Sequence, residues 1–572
     1  MNPAIVLSMG AKEQSMLSRL KQKMVELPDV FDRFVASRPW DKYTAWIFVV
    51  IGSLAVVCTL YAVWHIPLGM ADEAWFVYLI REQIPLVLKG SYFTLYFKAF
   101  SGSSILFLRY LALGMMWFAN CVLAVSIYFL FRDTFSKRGL VYFMFCGIVW
   151  YAILFPQYVS VPYYITLEHL WGTLAISALL LAFSAKSSVW KHVGFAVSGF
   201  CCTQMFLDML PAAPMVLLLF LVTCCFGVKA AVFWILGVLI GFGFFFVFLQ
   251  SPADVLQQIL SAFTAADKDM HDKMLLVRWG LNTTFFFVIR VLGYCIAACA
   301  FVEIPSNHKI RKFYLGLVLF LGVLFVAGVE MIQSSFRIER TFSIAVLYTM
   351  FALTVWMYCR QRPVDFKKGV ALALFSVAPV LLCFGTNVAF SVRGLFYAMM
   401  LALPILMLST IIGNRHLSFF VFLFVALFAI RFFMQFNATS WATYEKFFAP
   451  SHRLSEYGTN VTASSTQMRN IKIIEEKTRG ADYLVGSSFC WQYIVVLNKK
   501  PVEPNFYLAS TDLRDTFSKL NLTKDDVAFV VDRKNPEKDY FPGWIDLYRE
   551  HFGAKDIERV EFNKSEDILF FR

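Results

Sequence analysis

The stretch YTAWIFVVIGSLAVVCTLYAVW, residues 43–64, decides the fold class of this chain because it contains no charged side chain. A helix of about 20 apolar residues crosses the ~30 Å hydrocarbon core of a bilayer. Similar runs recur along the chain, which is 59% hydrophobic with a mean hydropathy of +0.62. The sequence predicts an all-α polytopic membrane protein whose transmembrane domain covers 43–435. The predicted spans, about 13 in number, lie near 43–64, 104–131, 139–156, 163–185, 192–209, 211–227, 230–249, 283–302, 313–331, 342–359, 369–387, 392–411 and 417–435.

Basic residues set the predicted orientation of these spans. Residues 1–42 are rich in Lys and Arg and form a basic, partly amphipathic segment unlike a signal peptide. Short loops predicted on the same side, such as 132–138, 308–312 and 360–368, are also basic. Lys and Arg accumulate in cytoplasmic loops, so we expect the N-terminus inside and residues 436–572 outside. The net charge of +13 fits contact with anionic membrane lipids, and no basic motif indicates nucleic acid.

The predicted outer loop 65–103 carries the adjacent carboxylates Asp72 and Glu73 and many aromatic side chains. Two carboxylates at a membrane face must lie in water or in a polar cavity, because burying them in hydrocarbon is too costly. The aromatic residues, among them Trp75, Phe76 and Phe93, favour short interfacial helices. For most of these rings we expect the ordinary role of anchors in the headgroup layer.

The composition changes at Asn437 to a polar tail with short apolar runs. Alternation and β-branched residues predict strands near 482–486, 493–497, 527–532 and 567–571, with helices at 511–520 and 543–552. This pattern is typical of a small extracytoplasmic α/β domain. The tail has no glycine-rich phosphate loop and no Gly-x-Ser-x-Gly motif, and Cys490 is its single cysteine, so no cofactor, metal or chemistry is predicted there.

The order of these features resembles the C-type (GT-C) integral-membrane glycosyltransferase superfamily, including protein O-mannosyltransferases and the aminoarabinose transferases that modify lipid A. Asp72-Glu73 matches the acidic pair of the first outer loop in those families. Ser103-Ser-Ile-Leu-Phe-Leu-Arg109 resembles the start of their second span, and Tyr164-Ile-Thr-Leu-Glu168-His169 that of their fourth. The Trp-Trp-Asp signature of oligosaccharyltransferases is absent, which excludes that branch.

The resemblance implies transfer of a sugar from a polyprenyl-phosphate donor to an acceptor hydroxyl at the outer face of the inner membrane. Asp72 is then the expected base, with Glu73 supporting it and with Glu168 and His169 as further catalytic candidates. The leaving phosphate needs cations near the outer face, and arginine suits bidentate phosphate binding. The candidate cations are Arg337, Arg340, Arg393, Lys89 and Arg109, with Lys98 as an alternative.

Several of these residues also have ordinary interpretations. The arginines could reach lipid headgroups, and His169 could simply pack at the interface. Arg109 and Arg290 lie inside apparent spans, so each faces a partner or lies at the interface if the boundaries shift. Asp208 is expected as a solvated hairpin residue, with a cavity role as the alternative. No Asp-x-Asp or His/carboxylate set indicates a metal.

Two other functions compete with the transferase. An O-antigen polymerase or ligase also handles polyprenyl-linked glycans, but the loops after residue 282 are short for that class. A lipid or solute transporter would be expected to show internal symmetry, which the sequence lacks. The acceptor remains open among O-antigen or another surface glycan, lipid A (either way a lipopolysaccharide component) and protein hydroxyls.

Overall fold

A computed structural model describes the residues within the following ranges: 33–65, 72–84, 92–132, 137–154, 161–209, 212–256, 336–382, 397–438, 451–486, 491–501, 527–530, 557–563 and 566–571, together with residues 18, 22, 26, 30, 68 and 550. Within them the protein is mostly helical, with several apolar helices and three small sheets.

Eleven of the predicted spans each contain a helix that the structure describes, and two further short helices lie in the outer loop. The spans predicted at 283–302 and 313–331 lie outside the described residues, so the total of thirteen stays a prediction. The helices are α1 (Trp40–His65), α2 (Asp72–Glu82), α3 (Phe93–Tyr96), α4 (Ile105–Leu130), α5 (Lys137–Leu154), α6 (Tyr164–Ser184), α7 (Ser188–Asp208), α8 (Ala213–Cys224), α9 (Val228–Phe248), α10 (Phe336–Gln361), α11 (Phe366–Leu381), α12 (Met399–Ile412) and α13 (Arg415–Ala438).

Four of the described helices, α1, α4, α6 and α9, are long and apolar enough to cross a membrane. Helix α12 is apolar on all sides and lies at the centre, where its residues from Met399 to Met407 are almost all buried. Helix α9 instead exposes an apolar face, including Leu239 and Val247. Such a face needs lipid or a partner to cover it.

Glycines allow α7 and α9 to cross at very short range. A Cβ atom built on Gly237 would lie 1.9 Å from the carbonyl oxygen of Ala196, and one built on Gly199 would lie 2.0 Å from that of Trp234. Small residues are the usual means by which membrane helices approach this closely. At this crossing the Gln204 side chain donates to the carbonyl oxygen of Gly241 at 3.0 Å.

We expect Gly237→Ala to destabilise the protein, because the added methyl group meets backbone rather than a movable side chain. Overpacking of this kind typically costs about 1–3 kcal/mol. Gly243→Ala is the matched control, since a Cβ atom at Gly243 meets nothing within 4 Å. Thermal unfolding of both purified variants in detergent measures the difference, and equal unfolding temperatures would contradict the tight crossing.

The outer loop forms the predicted short helices, but the anchoring role expected for its aromatic residues is wrong for most of them. Trp75, Phe76, Tyr92, Phe93 and Phe97 are all buried within the protein. The ring of Phe76 stacks on that of Tyr163 with a centroid distance of 5.0 Å. Protein neighbours cover these rings, so the rings attach the outer loop to the helix bundle rather than to the headgroup layer of the membrane.

Within its described residues the tail has seven strands, two helices and a 3-10 turn at Leu454–Tyr457. The elements are β1 (Ser451–Arg453), β2 (Thr462–Ser464), α14 (Ser465–Lys477), β3 (Tyr483–Gly486), α15 (Trp491–Val496), β4 (Lys500–Pro501), β5 (Val527–Val530), β6 (Ile557–Asn563) and β7 (Glu566–Phe571). One sheet is parallel and has the strand order β4-β3-β5, while β1-β2 and β6-β7 are antiparallel pairs.

The strands predicted at 482–486, 527–532 and 567–571 are present, whereas the strand predicted at 493–497 is wrong. That run is the buried helix α15, although Ile494, Val495 and Val496 favour a strand by propensity. Tertiary packing overrides the propensity, because all six helix residues are buried. The helices predicted at 511–520 and 543–552 lie outside the described residues, apart from helical Glu550.

Candidate active site

A buried ion pair joins the outer loop to the bundle. Ser104 caps the start of α4 by accepting from the Phe107 amide at 3.2 Å, which places Arg109 in the second turn. Arg109 Nε donates to Glu73 Oε1 at 2.7 Å, and Nη2 donates to Oε2 at 2.6 Å. Its Nη1 donates to the carbonyl oxygen of Val63 at 3.3 Å. This one guanidinium therefore ties together the end of α1, the start of α2 and the start of α4.

This geometry settles the open question about Arg109 and changes the role expected for Glu73. Arg109 is 1% exposed and faces a protein partner rather than the interface. Its engagement with Glu73 also leaves it poorly suited to the phosphate role predicted for it. Glu73 is 7% exposed and holds Arg109, while Asp72 is the first residue of α2, its side chain lying outside the description.

Further polar side chains lie deeper in the bundle. Asn120 follows Arg109 by eleven residues on α4, so the two lie on the same face about 16 Å apart along the axis. Asn120 Oδ1 lies 3.3 Å from His169 Nε2, and the His169 ring stacks on Tyr397 with a centroid distance of 5.9 Å. Glu168 and His169 are almost completely buried in the second turn of α6.

A third polar group links the outer loop to α7. Tyr96 donates its hydroxyl to Gln204 Oε1 at 2.8 Å. Burial, together with the Asp208 carboxylate, raises the pKa of Tyr96 well above its ordinary value, so the hydroxyl keeps its proton and acts as a donor. The expectation that Asp208 is solvated is wrong, because its side chain is fully buried at the end of α7.

The tail contacts the segment that leads into Asp72. Thr462 Oγ1 donates to the carbonyl oxygen of His65 at 2.8 Å, and the Thr462 carbonyl accepts from the Leu68 amide at 3.2 Å. Gln467 Nε2 donates to the carbonyl oxygen of Leu68 at 3.3 Å and to Gln492 Oε1 at 3.2 Å. The tail thus holds the end of α1 and, at Leu68, the middle of the short connection between α1 and α2.

Aromatic packing adds a second contact between the tail and α2. The Trp491 ring lies 6.3 Å from Trp75 and 5.4 Å from Tyr78 by centroid distance. Burial and the nearby Glu82 carboxylate raise the pKa of Tyr78 to about 12, so its hydroxyl stays neutral beside these rings.

Replacing Trp491 with alanine should loosen α2 from the tail, because removing a buried tryptophan typically costs about 3–5 kcal/mol. We expect faster hydrogen exchange of residues 66–82 in the Trp491→Ala variant. Tyr457→Phe is the control, since it removes an exposed hydrogen bond to Glu475 within the tail. Unchanged exchange in Trp491→Ala would show that the Trp491 ring does not hold α2 to the tail.

The structure describes only some of the basic residues that were predicted to bind the phosphate. Arg337 and Arg340 lie in the first two turns of α10, where the structure describes their backbone but not their side chains. Lys89, Arg290 and Arg393 also lie outside the described residues. Lys98 is exposed in a 3-10 turn at Lys98–Phe100.

The sequence interpretation missed Asn120, Tyr397, Gln204 and Gln467. Asn120 did carry a signal, since it is a polar residue in an apolar span at a helical spacing from Arg109. Gln467 carried none, because its role depends on contact with residues about 400 positions earlier.

No protein-family model matches the chain, and no curated protein matches it. A solved structure similar to this chain is that of the Archaeoglobus fulgidus oligosaccharyltransferase in complex with zinc and sulfate. It has a TM-score of 0.42 and 15% sequence identity, covering 90% of this chain and 72% of that chain. At that TM-score the similarity does not establish a shared fold.

Proposed function

We propose that this protein is a membrane glycosyltransferase that moves a sugar from a polyprenyl-phosphate donor to an acceptor hydroxyl at the outer membrane face. The buried Glu73–Arg109 pair carries the proposal. It fixes the start of α2, where Asp72 lies, against the bundle and beneath the tail. A charged pair buried among apolar helices is costly and marks a functional site by default.

Asp72 is the proposed general base. Its carboxylate takes the proton of the acceptor hydroxyl while the hydroxyl oxygen forms a bond to the anomeric carbon. The bond from that carbon to the phosphate oxygen breaks, and the electron pair leaves with polyprenyl phosphate. Glu73 is already committed to Arg109, so it positions α2 rather than taking the proton.

The leaving phosphate is assigned to Arg337 and Arg340, with Arg393 and Lys89 as substitutes. Arginine offers paired donors to phosphate oxygens, and such charge-assisted bonds strengthen in a site without water. Arg109 is left out of this set because its nitrogens already bind Glu73 and Val63.

Glu168, His169 and Asn120 supply polar groups beneath this site. Sugars carry several hydroxyl groups, and each one buried on binding needs a hydrogen-bond partner. The His169 ring and the Asn120 amide can both donate and accept. We assign them to binding sugar hydroxyls, and the acceptor is a surface glycan such as O-antigen, or lipid A.

One observation favours a second candidate, a solute transporter. Asn120 and His169 meet about 22 Å along α4 from its first residue, which is well inside a 26-residue helix. Polar groups at such depth often line a transport path. A transporter would move a solute without changing it, whereas a transferase makes a new glycosidic bond.

Mass analysis of envelope glycans from cells with and without this protein tests the proposal. A transferase should add one sugar residue to a glycan or to lipid A, and that mass should disappear without the protein. Identical glycan masses in both samples, with altered uptake or export of a solute, would favour the transporter.

A further inference from the structure

A groove opens on the bundle at the opposite end of α1 from Asp72. It has a volume of about 550 Å³ and lies between α1 and α13. Its lining is Phe34, Arg38, Trp40, Tyr43, Trp46, Ile47, Val50, Ile51 and Phe422. Arg38 is the single charged residue in that lining, and the groove is of a size that commonly holds a small-molecule ligand.

The floor of this groove is a fixed aromatic cluster. Trp40 is buried, and its Nε1 donates to the carbonyl oxygen of Val35 at 2.9 Å. Its ring lies 4.9 Å from Phe419 and 5.0 Å from Phe422 by centroid distance. Because these rings hold one another, the groove is formed before any ligand enters.

The chain turn before α1 places a cation at the mouth. Residues 38 and 39 interrupt the helical backbone, and Arg415 Nη1 donates to the carbonyl oxygen of Ala36 at 2.7 Å, fixing the preceding turn against α13. Arg38 is exposed, and no carboxylate among the described residues forms an ion pair with it. Arg33 and Lys42 also flank the groove in the chain, and the neighbouring carboxylates are Asp32 and Asp41.

The walls of the groove are apolar and open to the surroundings of the bundle. Trp46 is 57% exposed and Val50 58% exposed. From Tyr43 to Ile51 the wall rises about 12 Å along the helix, in the direction that an acyl chain takes in a bilayer. A cation at the polar end of an apolar channel between membrane helices matches an anionic lipid: phosphate at the cation, acyl chain along the channel.

We infer that this groove binds one anionic phospholipid, with its phosphate on Arg38 and an acyl chain along Trp46 and Val50. The inference is independent of the transferase activity, since the groove and the outer loop lie at opposite ends of α1. The first 32 residues of the chain are the competing occupant.

Native mass spectrometry of the full-length protein with added phosphatidylglycerol or phosphatidylcholine tests this inference. We expect one retained phosphatidylglycerol, and a loss of affinity of at least about tenfold in Arg38→Gln, since one charge-assisted contact is removed. Lys186→Gln, which removes an exposed charge elsewhere, should retain the lipid. Val50→Trp should block the groove with Arg38 intact.

A photoactivatable phosphatidylglycerol locates the bound lipid, and we expect it to cross-link to residues 43–51. Equal retention of the two lipids, or unchanged retention in Arg38→Gln, would overturn the inference. Cross-linking of residues 1–32 to the groove, with no lipid retained, would assign the groove to the N-terminal segment instead.

Discussion

Replacing Arg109 with methionine should destabilise the folded protein by about 3–5 kcal/mol, the usual cost of breaking a buried ion pair by removing one partner. Glu73 would be left charged and almost fully buried, and the Val63 carbonyl oxygen would lose its guanidinium donor. Glu73→Gln should be similarly costly, because it leaves the Arg109 charge buried without a counter-ion.

Thermal or denaturant unfolding in detergent measures this loss, and Lys368→Met provides the control. Lys368 forms a more exposed pair with Asp365 at 3.8 Å. Surface pairs contribute about 0–1 kcal/mol, so this variant should unfold almost like the parent protein. If Arg109→Met were as stable as Lys368→Met, the buried pair would not hold the fold together.

A double variant distinguishes the effect of losing the whole ion pair from the effect of leaving one buried charge without its partner. Replacing both Glu73 and Arg109 with methionine removes both charges while keeping much of the volume, and such exchanges are often neutral or stabilising. The double variant should therefore recover much of the stability that Arg109→Met loses. Recovery of stability without activity would show that the pair serves to position α2 for the reaction.

The membrane helices could be predicted because the signal for them is local. A run of about 20 apolar residues is visible without knowing what it contacts, and eleven predicted spans contain observed helices. Strands β3, β5 and β7 were found for the same reason, since their apolar residues are flanked by polar ones.

The errors fall where distant residues decide the structure. Residues 493–497 have strand propensity, yet Trp491 packs on α2 from more than 400 positions earlier and the segment becomes a helix. Trp75 and Phe76 have the residue types of interface anchors, but residues of the tail and at the start of α6 cover them. Hydropathy cannot distinguish lipid from protein as the neighbour of an aromatic ring.

The sequence predicted only part of the candidate site. A charged residue within an apolar span indicates a buried partner, which is why Arg109 was noticed. Its partner Glu73 was assigned a different role, because sequence spacing does not show which of two adjacent carboxylates meets the arginine. The contacts of Thr462 and Gln467 with the outer loop left no trace in the sequence pattern.

Asp72→Asn should abolish sugar transfer while the protein stays folded. Asparagine keeps the size of the side chain and one acceptor oxygen, but it cannot take the proton of the acceptor hydroxyl. General-base catalysis contributes about 10²–10⁴-fold in rate, a loss that a cellular assay would score as complete. The substitution leaves both Glu73 and Arg109 in place, so this loss should appear without the instability expected for Arg109→Met.

The measurement is product formation by the purified protein, using the polyprenyl-phosphate sugar identified from the glycan comparison. Glu82→Gln is the matched control, because it removes an exposed carboxylate at the other end of α2 and should stay active. Stabilisation against heat by added undecaprenyl phosphate should persist in Asp72→Asn, which separates catalysis from donor binding. Near-normal turnover in Asp72→Asn would remove Asp72 from the role of base. Near-normal turnover in Glu73→Gln as well would remove the acidic pair from the site and the transferase proposal with it.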